Sequence, residues 1–413
     1  MAEKIKLDKR HIGILTIILA SLISLSPFAI DTYAPAMSFM AESFGAVISD
    51  IELSMTIYIL AYAIGQFFGG PLSDNFGRKP IVLGGLTVFI ASSYLLSQCD
   101  SLTSLYLLRF TQALGGGFSV VVAMAIVRDL FSGRDLAKRI TYISMFMMVA
   151  PLIAPAIGTL LLKYFGWRSI FIFLTFYSFL VIVLITLFIP ETLKSKNSKG
   201  IIQRSMKGYI DLFSNTKAIS LILASALGFA GMFTFITGSS KIYIEHFNIP
   251  INYFPLLFGS NVVLTIILGF VNSYLVMKMS PERILNFGLF VQLISGGLLC
   301  FIMLTEDPPF IIVFILIVIF VGVMGIIFGN ANAIVLQTFP KSSGTTMAVI
   351  GVVEFATAAL MGLILNLIQD GSILPYGLIM FTCTILSNIF YRILKNKKQN
   401  SQTELAKVLV SES

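Results

Sequence analysis

The chain has 413 residues, 57% of them hydrophobic and only 12% charged, at a mean hydropathy of +0.92. That is far more apolar surface than one water-exposed globule can bury, so a soluble enzyme or binding domain is excluded and the surrounding solvent is largely lipid. The formal charge of +8 would fit a nucleic-acid partner only if the cations gathered on one surface, and they are strung along the whole chain instead.

Roughly 20 apolar residues cross about 30 Å of hydrocarbon as a helix. Runs of that size predict spans at 12–37, 51–72, 81–96, 102–127, 140–165 and 170–189, then at 218–238, 253–277, 284–304, 310–333, 345–368 and 374–394. The first run follows Lys4, Lys6, Lys9 and Arg10; it is too long for a signal peptide's apolar core and lacks a convincing cleavage site, so it is kept as a span. All but four of the 28 Lys and Arg fall in the N-tail, alternate loops, the central gap and the C-tail. Cytoplasmic loops retain cations, so both termini are expected in the cytoplasm. The exceptions are Lys163, Arg168 and Lys241 on the outer side and Arg109 within a span.

The gap 191–217 carries Lys194, Lys196, Lys199, Arg204 and Lys207 and separates a bundle at 1–190 from one at 218–394, with a tail at 395–413. Within it Ile201, Ile202, Met206, Tyr209, Ile210 and Phe213 form either one face of an interfacial helix or part of a solvated linker. The expected fold is an all-α membrane protein of twelve transmembrane helices in two six-helix bundles, an arrangement that rocks about a central site.

No GxxxxGK[ST] phosphate loop and no GxSxG elbow occurs, so neither ATP grip nor that hydrolase chemistry is expected. His11 and His246 sit at membrane edges, and Cys99, Cys300 and Cys383 have no metal spacing. No cofactor and no metal is expected, and the energy for transport falls to an ion gradient or to the substrate's own.

After the second span comes Gly69-Gly70-Pro71-Leu72-Ser73-Asp74-Asn75-Phe76-Gly77-Arg78-Lys79-Pro80. This resembles GxLADRxGRKxxL, the signature loop of the major facilitator superfamily. A topogenic basic turn would explain Arg78 and Lys79 but not Gly70, Asp74 and Gly77; the physical use is a latch in which Asp74 accepts bonds from helix N-termini or a nearby Arg. In the fourth span Arg109-Phe110-Thr111-Gln112-Ala113-Leu114-Gly115 is similar to the family's RxxQGxG, and Asp129 follows at its end. In the fifth, Ala150-Pro151-Leu152-Ile153-Ala154-Pro155-Ala156-Ile157-Gly158 looks like the APxxAPxxG form of the bicyclomycin-resistance subgroup, with Pro151, Pro155 and Gly158 as the antiporter motif or as plain helix packing. Ser26 to Ala36, containing Asp31, Tyr33 and Pro35, is similar to the StDxYLPA sequence of the same subgroup.

Charges at membrane depth are costly and mark function. Arg109 and Asp31 both lie about 10 Å inside the outer ends of their predicted spans, at 1.5 Å per residue, so the two can meet. A neighbouring cation keeps a carboxylate ionised and burial favours its neutral form, so their relative movement would couple protons to transport; a static salt bridge is the alternative. Glu354, mid-way along the eleventh span, reads as a second proton site, a contact for cationic substrate or a partner of another polar group. Tyr33, Tyr58, Gln112, Met124, Phe233, Phe235 and Asn261 are expected to line the substrate cavity, and Lys241 to snorkel at the edge.

The resemblance implies a drug:proton antiporter of a bacterial inner membrane, similar to bicyclomycin and chloramphenicol exporters. Its implied partners are small amphipathic drugs, protons and the lipid bilayer, with no nucleic acid and a monomeric state. A metabolite transporter on the same fold and a non-transporting membrane sensor or embedded enzyme are the rivals.

Overall fold

The computed structural model describes residues 9–193, 212, 214–338 and 343–411, with backbone alone at 9–11, 137, 217, 343–345 and 393–411. The expected interfacial face from Ile201 to Phe213 lies outside these residues. Among the described residues twelve helical segments are long and apolar enough to span a membrane, and they coincide in order and place with the twelve predicted runs. Among the described residues there is no strand.

The first span, Ile12–Phe44, extends beyond its predicted end at 37 and is broken. It comprises α1 (Lys9–Ile23), α2 (Leu25–Asp31), a 3-10 turn at Ala34–Ala36 and α3 (Met37–Phe44). Two prolines set the breaks. Pro27 has no N–H for the carbonyl of Ile23 and Pro35 none for that of Asp31, and each ring presses on the residue four before it, so α1 and α2 end at those residues. Gly45 closes α3 in the left-handed conformation at φ 60°. Then come α4 (Ile48–Phe76), α5 (Arg78–Leu96), α6 (Leu102–Leu130), α7 (Gly133–Phe165) and α8 (Arg168–Phe188). The second half holds α9 (Thr216–Ser240), a π-turn at Lys241–His246, a 3-10 turn at Ile251–Tyr253, and α10 (Phe254–Leu275). After these follow α11 (Pro281–Ile302), α12 (Phe310–Gly322), α13 (Met324–Thr338), α14 (Ser343–Ile368) and α15 (Leu374–Ser411).

Helix α7 begins seven residues before its predicted span because Gly133 to Arg139 continue the helix outside the apolar stretch. It also runs unbroken through Pro151 and Pro155.

The chain forms two compact units. The first contains Met1–Gln203 and Ile236–Val262; the second contains Arg204–Phe235 and Val263–Ser413. In the first, α6 is wedged between α4 and α5. A β-carbon on Gly117 would fall 2.5 Å from the carbonyl oxygen of Tyr62, and one on Gly115 would fall 2.4 Å from that of Gly85. Backbone-to-backbone approach of this kind replaces the hydrophobic drive that lipid cannot supply, and it carries Arg109 and Gln112 into the unit's interior. The end of α9 joins this unit through a hydrogen bond between the Ser38 and Ser240 hydroxyls, 2.8 Å. In the second unit, α11 packs against α12, α13 and α15, and a β-carbon on Gly325 would fall 2.2 Å from the carbonyl oxygen of Thr265.

Candidate functional site

Arg109, wholly buried, is held without a carboxylate partner among the described residues. Its guanidinium carbon lies 4.4 Å from the Tyr33 ring centroid and 4.2 Å from that of Tyr58. Nη1 donates to the Ala29 carbonyl at 3.3 Å and to Gln112 Oε1 at 2.9 Å, and Nη2 contacts Met55 Sδ at 3.6 Å. The surrounding groups are themselves fixed. Gln112 Nε2 donates to Ser93 Oγ at 2.8 Å, and the Tyr33 and Ser54 hydroxyls pair at 2.7 Å. Nε has no partner. Two ring faces and two oxygens thus oppose a full charge that burial penalises, and such an over-determined but incompletely satisfied group marks function.

Tyr33, Tyr58 and Gln112, expected to line a cavity, therefore clamp Arg109 and are fully buried. Tyr58→Leu is expected to lower the melting midpoint of the purified protein by about 2–4 °C through loss of one ring face worth ~2 kcal/mol. Tyr58→Phe keeps the face and gives up only a 3.5 Å hydroxyl contact with Ser26, so its midpoint should stay at the wild-type value. Equal losses in both variants would assign the effect to the hydroxyl.

The expected meeting of Asp31 with Arg109 does not occur in this structure. Arg109 reaches Ala29 and Tyr33, the residues two before and two after Asp31, so the depths agree. Two residues turn a helix by about 200°, which sends the Asp31 side chain to the far side of the segment. There it is 4% exposed, and among the described residues no ion pair or hydrogen bond reaches it.

On that segment Thr32 abuts the fifth span. A β-carbon on Gly158 would fall 2.2 Å from the Thr32 carbonyl oxygen and 2.9 Å from its Cα. Gly158 thus lets α7 touch the backbone next to Asp31, and Ala150 and Ala154 nearby are buried.

The signature loop forms a network across α4, α5, α6 and the chain after α8. Asp74 pairs with Arg78 at 2.6 Å, and Arg78 Nε with Asp129 Oδ2 at 3.1 Å; Ser73 Oγ accepts from Arg78 Nη1 at 2.7 Å. Lys79 Nζ donates to the Thr186 carbonyl at 2.8 Å. Of the two partners expected for Asp74, helix N-termini or a nearby Arg, it meets the Arg, and Glu191 takes the helix N-terminus. It accepts from the Arg78 and Lys79 amides at 3.0 and 3.1 Å, at the start of α5. Gly77 has φ 108°, which favours glycine, and a β-carbon on it would fall 2.6 Å from Glu191 Oε2 and push that carboxylate aside. Thr192 completes the network by donating to Asp129 at 3.0 Å. A β-carbon on Gly70 would meet nothing within 4 Å among the described residues, and the Gly70 carbonyl accepts from Ser73 Oγ at 2.8 Å. Sequence reading missed Glu191 and Thr192, whose only signal was a polar Glu-Thr pair at the end of the sixth span.

Partial burial alone would push the Glu191 carboxyl up, but the amides of Leu193, Arg78, Lys79 and Thr192 hold it below the usual carboxylate range. A carboxyl held low contributes stability that is present above its unfolded value, about 4.3, and is lost only as pH falls through the lower folded value. Glu191→Gln is therefore expected to slow transport severalfold while leaving the shape of its pH profile unchanged from about pH 5.5 to 8. A shifted profile in reconstituted vesicles would contradict this.

Among the other candidates, Met124 is half-buried and Phe235 and Asn261 are buried. Phe233 packs on Phe229 and Phe355. Lys241, expected to snorkel at the edge, pairs with Glu245 at 2.9 Å within the π-turn. Glu354 is 3% exposed, and among the described residues its Oε1 has no hydrogen-bond partner. No group of His, Cys, Asp and Glu among the described residues could hold a metal.

Twelve helices among the described residues that are long and apolar enough to span a membrane, with a ring-clamped arginine and a charged latch inside the first unit, define a multi-pass membrane protein. The chain belongs to the major facilitator superfamily, whose family model matches residues 19–362. It is 32% identical over 379 residues to the bicyclomycin resistance protein homolog of Haemophilus influenzae, covering 92% of this chain and 95% of that one. It is 38% identical over 163 residues to the chloramphenicol resistance protein of Pseudomonas aeruginosa, covering 38% and 39% of the two chains. Among solved structures, a D-xylose-proton symporter aligns with a TM-score of 0.69 at 13% identity over 90% of this chain and 96% of the other. A POT family transporter aligns at 0.72 and 16% identity over 93% and 96%. Such low identities speak for the fold alone.

Proposed function

We propose that this protein exports small amphipathic drugs of the bicyclomycin and chloramphenicol type in exchange for protons across a bacterial inner membrane, working as a monomer. The full-length similarity to a bicyclomycin resistance protein homolog supports the substrate class. Proton coupling rests on one observation: Asp31 is buried at a helix break with no ion pair or hydrogen bond among the described residues.

A carboxyl in such surroundings is tolerated as a neutral acid and costs several kcal/mol as an unpaired anion. Its proton must therefore come and go when the segment meets water, and drug and proton use the opening in turn. Arg109, fixed to Ala29 and Tyr33, sets where Asp31 stands, and Gly158 seats the same segment from the other side. The latch end is assigned to the cytoplasm, and residues 1–190 and 218–394 are the two bundles that rock, joined by 191–217. In this reading the latch of Asp74, Arg78, Asp129 and Glu191 braces the first bundle near that joint.

In proteoliposomes holding an acid interior, adding chloramphenicol outside wild-type protein should drive drug inward as protons leave, read as recovery of a quenched pH dye. Drug uptake with no proton movement would leave a facilitative carrier, and no drug flux of any kind would remove the transport reading.

A further inference from the structure

Glu354 of α14 is a buried carboxylate that neither the latch nor the Asp31 segment uses. Among the described residues none of the ion pairs involves it, and its Oε1 stands without a hydrogen-bond partner. Its sequence neighbour, Phe355, belongs to a three-ring cluster with Phe229 and Phe233 of α9. Phe229 and Phe233 have centroids 4.6 Å apart, and Phe355 lies 5.2 Å and 5.7 Å from them with its ring nearly perpendicular to both. Residues 229 and 233 are one helical turn apart, so α9 presents both rings to α14.

A carboxyl buried in apolar surroundings, one residue along the helix from an aromatic cluster, has a definite complement for its ionised form. A small hydrated cation loses more on leaving water than one carboxylate returns, calcium or magnesium takes six or more oxygens, and zinc takes three or four protein ligands. No such cluster exists among the described residues. A monovalent organic cation whose charge is spread over an apolar body loses little hydration; it gains ring contacts along that body and a counter-charge at its centre. We propose that Glu354, with Phe229, Phe233 and Phe355, recognises lipophilic monovalent cations, so that the substrate range extends beyond neutral drugs. This rests on the export reading above and leaves the proton coupling of neutral-drug export to Asp31.

The test binds tetraphenylphosphonium to detergent-purified wild type, Glu354→Gln, Glu354→Asp and Phe233→Leu, and in parallel measures chloramphenicol transport by each in vesicles. The wild type should bind the cation, and Glu354→Gln should weaken that binding about tenfold or more while chloramphenicol transport stays within about twofold. Glu354→Asp should retain most of the binding and Phe233→Leu should weaken it severalfold. The proposal is overturned if the wild type does not bind the cation, if Glu354→Gln binds it as the wild type does, or if Glu354→Gln loses cation binding and chloramphenicol transport together, as a proton carrier or a misfolded chain would. Failure of the export reading is separate: it would appear as absent wild-type chloramphenicol flux, whatever the binding assay returns.

Discussion

Asp31→Asn is expected to reduce drug transport driven by a pH gradient by about a hundredfold or more, equivalent to ~2.7 kcal/mol on the coupled step. The purified variant should melt within about 1 °C of the wild type, because no ion pair or hydrogen bond to Asp31 exists among the described residues to be lost. Asn matches the carboxyl in size and differs in being unable to bind and release a proton. Exchange of labelled for unlabelled drug across the membrane needs no net proton movement and should survive in the variant. That combination separates a proton carrier from a packing residue: full gradient-driven transport by Asp31→Asn would remove Asp31 from the mechanism, and loss of exchange as well would make it structural. Asp31→Glu, which keeps the titrating group and lengthens its stem, should restore part of the coupled rate.

The common level of Asp31 and Arg109 was legible from the sequence, and the direction of Asp31 around its helix was not. Counting residues along apolar runs placed Asp31 and Arg109 at one level, and Arg109 does meet Ala29 and Tyr33, on either side of Asp31. The azimuth needs a polar face to read, and segments such as Ile18 to Ile30 offer almost none. Tyr33 and Tyr58 looked like cavity lining for the same reason, since an aromatic in an apolar helix carries no sign of what its face covers. The latch loop was legible because Asp74, Gly77 and Arg78 act within a few residues of one another. Glu191 was not, because it joins the loop from more than a hundred residues away and nothing local to it requires a partner. The glycines of α6 read as part of a family motif; their physical work is to bring α4 and α5 against its backbone.

Gly158 carries the other large expected effect. A β-carbon there would meet the oxygen, carbonyl carbon and Cα of Thr32 at 2.2, 2.9 and 2.9 Å, all backbone atoms that cannot swing aside as a side chain would. Relief requires α7 and the first span to separate by more than about 1 Å, and Thr32 adjoins both Asp31 and the Tyr33 ring on Arg109. Gly158→Ala is therefore expected to lower gradient-driven transport by about tenfold and Gly158→Val to background, with the melting midpoint falling in the same order. Gly70→Ala is the matched control, since a β-carbon at Gly70 meets nothing within 4 Å, and it should transport as the wild type does although it lies in the signature loop. The two readings of the fifth-span motif part at Gly158→Ala. If Gly158 serves coupling by seating the Asp31 segment, gradient-driven transport should fall further than drug exchange; if it serves packing alone, both should fall together with the melting midpoint.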